Sequence, residues 1–100
     1  MVKTPVIIRE DYIIYFEPVN AGVFIHCDVF KWNKTIKRKL TEDFNTLKSL
    51  HDQPIWALHE EHRGQKHLKF LNMFGFRHLE DAKDIHGNRV EFYITNEDKL

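Results

Sequence analysis

Three segments decide the fold: Ile55-Trp56-Ala57-Leu58-His59, then His67-Leu68-Lys69-Phe70-Leu71-Asn72-Met73-Phe74-Gly75-Phe76, then Val90-Glu91-Phe92-Tyr93-Ile94-Thr95. The first is short and almost continuously apolar, which predicts a strand buried on both faces. In the second, Leu68, Leu71 and Phe74 recur at helical spacing, and Phe70 and Met73 widen the stripe. Gly75 then suits a left-handed helix stop, with Phe76 folding back onto the helix end. The third alternates as a strand does, and a weaker strand over 77–82 precedes it. Asp84-Ile85-His86-Gly87-Asn88 supplies the turn between these two. The polar run from Glu60 to Gly64 reads as a connection.

Toward the N-terminus the period changes twice. Ile36, Leu40, Phe44, Leu47 and Leu50 predict a helix from about Lys34 to His51, capped by Asn33 or Thr35. Pro54 closes it, because the residue before a proline avoids the helical region. Before it, Tyr12-Ile13-Ile14-Tyr15-Phe16 and Val23-Phe24-Ile25-His26-Cys27-Asp28-Val29-Phe30 are rich in β-branched and aromatic residues. With Asn20-Ala21-Gly22 between them they form an antiparallel hairpin over 12–17 and 23–30. Val6-Ile7-Ile8 is a further apolar run. The order is therefore β-β-β-α-β-α-β-β, an α/β (α+β) chain with a mixed, largely antiparallel sheet and two packed helices.

The chain has 100 residues, which fits a single domain over 1–100. Fifteen basic residues balance fifteen acidic ones. A zero formal charge disfavours nucleic acid and anionic membranes as partners of the whole protein. One cysteine, Cys27, rules out an internal disulfide. No apolar run approaches the roughly 20 residues that a membrane helix needs. The N-terminus is too short and polar for a signal peptide. The expectation is a soluble protein that is not secreted.

The strand, the helix ending in Phe70-Leu71…Gly75-Phe76 and the closing hairpin resemble the C-terminal half of the GNAT (GCN5-related N-acetyltransferase) fold. The resemblance covers roughly residues 12–95, with sequence detail over 54–95. It is closest to short, divergent GNAT-like proteins of tailed bacteriophages, including the internal virion protein A-like family. Those proteins also place a Lys/Arg-rich helix before a Trp-containing strand, as Lys37-Arg38-Lys39 and Trp56 do here, and then a helix like His67-Leu68-Lys69-Phe70-Leu71. The resemblance implies a truncated GNAT-like domain in which the family's first strand and two acceptor-shaping helices have little or no room before Tyr12.

Two departures bear on activity. GNAT enzymes hold the acyl-CoA pyrophosphate with a glycine-rich loop, whose backbone N–H groups approach the phosphates at a helix N-terminus. The matching segment, Lys31-Trp32-Asn33-Lys34-Thr35-Ile36-Lys37-Arg38, has no glycine. The family's acid is commonly a Tyr on the second helix, and His67 to Phe74 contains none. The strand that usually presents the base carries His26 and Asp28, which alternate with Cys27 and share a face. They are the candidate base and its orienting partner, against a plain polar strand face; Glu17 is a further candidate base.

Lys31, Lys34, Lys37 and Arg38 gather at a helix start, where positive charge opposes the dipole. They are candidates to hold CoA phosphates by side-chain charge, or a nucleic-acid backbone, against a solvated face. Trp32, among these lysines, is a candidate partner anchor or packs under the helix start. Trp56 is expected in the core, as is Cys27. Seven histidines raise a metal reading. His59-Glu60-Glu61-His62 lacks the four-residue spacing of the zinc helix, so no metal site is expected.

The resemblance with these departures implies a protein-binding, virion-associated or host-interaction module without acetyl transfer and without a cofactor. It would act in the host cytoplasm or the virion. The alternative is an acyl-CoA-dependent N-acetyltransferase that grips acetyl-CoA through the Lys/Arg cluster. A homodimer through a Tyr12–Phe16 edge is a further expectation.

Overall fold

In the computed structural model, which describes residues 2–99, apolar alternation becomes strand burial. In β2 (Tyr12–Val19), Tyr12, Ile14 and Phe16 are buried, while Ile13, Tyr15 and Glu17 are half-exposed. β1 (Thr4–Ile8) pairs with one side of β2, and β3 (Gly22–Val29) pairs with the other in an unbroken eight-residue register. β2 is therefore an interior strand. The expected dimer edge at Tyr12–Phe16 does not exist, because β1 already takes its backbone groups.

α1 (Lys34–Leu50) starts where Asn33 Oδ1 accepts from the Ile36 N–H at 2.9 Å. This satisfies one of the donors that a helix start leaves free. Ile36, Leu40 and Phe44 form its buried stripe. The carbonyl of Lys48, in the last turn, accepts from Asn96 Nδ2 at 2.9 Å. α2 (Gly64–Met73) follows β4 (Ile55–Glu60) through one 3-10 turn, Glu61–Arg63. It ends in a Schellman motif: Phe76 N–H donates to Leu71 O and Gly75 N–H to Asn72 O, both at 3.1 Å, with Gly75 at φ 81°. The stop at Gly75-Phe76 is as expected. Phe76 stacks on Phe44 at 5.5 Å, and Phe74 meets the same ring edge-on. One α1 side chain thus holds the end of α2.

β5 (Arg77–Lys83) and β6 (Arg89–Thr95) close the chain's strand order. The sheet runs β1-β2-β3-β4-β6-β5, antiparallel except for the parallel step β3–β4. The result is a mixed α+β fold with a mostly antiparallel six-stranded sheet and two helices. Both helices pack on the face that carries Tyr12, Ile14, Phe16, Ile55, Ala57 and Tyr93. Strand β4 therefore alternates: Ile55, Ala57 and His59 are buried, while Trp56, Leu58 and Glu60 are half-buried. Burial on both faces was expected, and Trp56 in the core. Instead Trp56 lies on the opposite face beside Phe24, which also meets Phe92. No helix among the described residues covers that face. No helix of the described residues is long and apolar enough to cross a membrane.

Candidate functional site

The parallel step is where the sheet opens. β3 and β4 pair only at Val23–Ile55 and Phe24–Trp56. The Val23 N–H also donates to Pro54 O at 3.3 Å. Gly22 makes this approach possible, because a Cβ there would lie 2.3 Å from Pro54 O. Beyond this pivot the strands part around a cavity of about 610 Å³. Its floor is apolar, formed by Ile25, Cys27, Ala57, Leu71 and Phe74. Its rim is polar, with His26, Asp28, Glu60, Arg63, Lys66 and His67. A pocket with an apolar body and a few polar groups around it is the usual form of a ligand site.

His26 and Asp28 both reach this cleft, but they do not bond to each other. His26 Nε2 lies 2.8 Å from Glu17 Oε1. Asp28 Oδ2 accepts from Tyr15 Oη at 3.0 Å. Both contacts run diagonally across β2–β3, since Tyr15 directly faces His26 and Ile13 faces Asp28. Diagonal neighbours on one sheet face lie within reach of long side chains. Glu17, not Asp28, orients His26.

Cys27 alternates onto the helix-covered side and lines the cleft. It is half-buried, not sealed in the core as expected. Burial first, and then the Asp28 charge, push its thiol pKa up to about 12. It stays a thiol at neutral pH and is a poor nucleophile.

The cationic residues at the two helix starts are placed differently. Lys31, Lys34, Lys37 and Arg38 are all exposed, and none lines the cleft. The cleft takes Arg63 and Lys66 instead, from the start of α2. Neither was an expected site residue: Arg63 falls in the polar connection from Glu60 to Gly64, and Lys66 lies just beyond it. The available signal was an Arg-Gly pair followed by Lys at the start of a helix. Trp32 is half exposed and leans on Phe70 of α2, with ring centroids 6.3 Å apart. It thus packs against the second helix and keeps one side free.

His59 and His67 form an interior pair. Their rings stack at 5.0 Å, and the two Nδ1 atoms are 2.7 Å apart. One must donate and the other accept, so at least one ring is neutral. Burial, then the Arg63 and His59 charges, pull the His67 pKa down to about 4. His67 is therefore neutral at pH 7, and it lines the cleft. His62 lies apart on the 3-10 turn, exposed, 3.9 Å from Glu60 Oε2.

No protein-family model matches the chain, and no characterised protein matches it significantly in sequence.

Proposed function

We propose that the chain is a divergent GNAT-like domain, of the kind found in tailed bacteriophages, that works as a binding module without acetyl transfer. Its partner is a virion or host protein, and the cleft between β3 and β4 is its working site. The observation that carries this reading is a contrast within one region. The strands part around an apolar-floored cavity of about 610 Å³, yet the Lys31, Lys34, Lys37 and Arg38 cluster lies outside its lining. A cleft is present, and the Lys/Arg cluster is not positioned to hold a ligand's phosphates in it. An extended segment fits such a gap, because the β3 backbone beyond Phe24 has no β4 partner there.

The test is a calorimetric titration with acetyl-CoA. The reading predicts no heat at millimolar ligand. Micromolar binding that disappears in a Lys34→Ala/Arg38→Ala double variant would overturn it.

One observation favours the second reading, an acyl-CoA-dependent N-acetyltransferase. His26 and Glu17 form a 2.8 Å pair beside the cleft, as a base and its orienting carboxylate would. That reading requires acetyl-CoA turnover that falls in Glu17→Gln and is lost in His26→Ala.

A further inference from the structure

Strand β5 carries an irregularity at Leu79, which has no partner in the register between His78 and Glu80. On a regular strand, residues three apart point to opposite faces. The extra residue removes that difference, so His78 and Asp81 face the same way and both reach Glu91 on β6. His78 Nε2 is 2.7 Å from Asp81 Oδ1 and 3.8 Å from Glu91 Oε1. The three side chains offer ligand atoms within 4.8 Å of one another. Bulges recur where a strand must re-aim a side chain at a functional site.

A second observation points to the same place. His59 is only 3% exposed, and its Nε2 is 3.8 Å from Glu91 Oε2. Among the described residues that nitrogen makes no hydrogen bond. Its Nδ1 is engaged with His67. With the proton on Nε2, His59 is set to orient Glu91 from behind, as outer partners of metal-bound carboxylates do. Arg89 shows that the carboxylates already attract a cation: its Nη2 lies 3.0 Å from Asp81 Oδ2 and 3.6 Å from Glu91 Oε1.

We propose that His78, Asp81 and Glu91 bind a first-row divalent transition-metal ion of the zinc type, with Arg89 as the cation it displaces. One imidazole and two carboxylates suit such an ion better than magnesium or calcium, which favour all-oxygen sets. His78 and Asp81 are exposed and Glu91 is half-buried, so the ion has a path in and the side chains have room to close around it. The site lies on β5 and β6, and none of its three ligands lines the β3–β4 cleft.

The test is calorimetric titration of Zn²⁺ into the full chain, with Mg²⁺ as the comparison ion. The expected result is one site in the micromolar range for Zn²⁺ and no binding of Mg²⁺. His78→Ala and Asp81→Asn should each weaken Zn²⁺ binding by about tenfold or more. Arg89→Ala should tighten it, because the competing cation is gone. His62→Ala should leave it unchanged. Both weakening variants change exposed side chains, and circular dichroism checks that they fold. The proposal fails if Zn²⁺ gives no heat at millimolar concentration, if His78→Ala binds as the parent does, or if Mg²⁺ binds equally well.

Discussion

The two halves of the sheet are built by different means. In β1-β2-β3, apolar alternation does the work: β2 and β3 pair over eight residues without a break, and α1 lies across the result. Arg9 Nε and Nη2 and Tyr12 Oη all donate to Asp43, tying α1 to the start of β2. In β4-β6-β5, Ile55, Ala57, Tyr93 and Ile94 are buried as well, but beside them lies a cluster of histidines, carboxylates and Arg89 on β4, β5 and β6. The first half is held mainly by burial, and the second adds this polar cluster to its buried strands. The halves share only two residue pairs across β3–β4, so the cleft depends on packing that spans both.

The largest expected effect comes from breaking that packing. Phe44 sits on α1 and contacts Phe74 and Phe76 at the end of α2. Phe44→Ala should cost about 3–5 kcal/mol in urea unfolding. A loss under 1 kcal/mol would mean that the halves do not rely on this contact.

Gly22→Ala attacks the pivot. The new Cβ would meet a backbone oxygen, not a flexible side chain. The expected cost is on the order of 3 kcal/mol by denaturant titration, with the β3–β4 pairing at Val23 lost. An unchanged unfolding midpoint would show that the pivot is looser than described.

Asp43→Asn probes the polar clamp of the first half. It weakens charge-assisted bonds to a half-exposed Arg9 and a buried Tyr12, and should cost about 1–2 kcal/mol. The clamp also has a pH signature. Arg9, foremost, holds the Asp43 carboxyl below its usual range. The clamp is complete above the unfolded carboxylate range and is lost as pH falls through the lower folded value. Asp43→Asn should remove that part of the acid sensitivity.

The smallest effect lies in the second half. His67 titrates at about 4 when folded and near 6.5 when unfolded. Between these values the unfolded chain binds more protons, so stability falls as pH drops from about 6.5 to about 4. Thermal unfolding of His67→Gln should show a flatter profile across that window, and an identical slope would contradict a neutral His67 in the folded chain.

The comparison also explains what the sequence could disclose. Alternation in Tyr12–Phe16, the 36-40-44 stripe and the Gly75-Phe76 stop are local signals, and the elements they predict are all present. The facing of β4 was misjudged because Trp56 and Leu58 are apolar yet lie opposite both helices, which depends on where the helices pack and not on composition. Cross-strand choice was equally hidden: nothing near His26 in the chain names Glu17 as its partner. The His78, Asp81 and Glu91 group depends on one unpaired residue, Leu79, and a bulge leaves no mark in hydrophobic period. The cleft cations were missed because Arg63 and Lys66 look like ordinary solvated residues until β4 and α2 bring them to its rim.

The most direct test of the central claim, that β3 and β4 separate after a two-residue pairing, is hydrogen exchange read at single amides. The expected pattern alternates from His26 to Val29, past the last β3–β4 pair at Phe24–Trp56. Amides bonded to β2 should be protected, and those facing the gap should exchange quickly, while the amide of Val23 stays protected by Pro54 O. Uniform protection through Val29 would mean that the strands pair along their length and that no cleft exists between them.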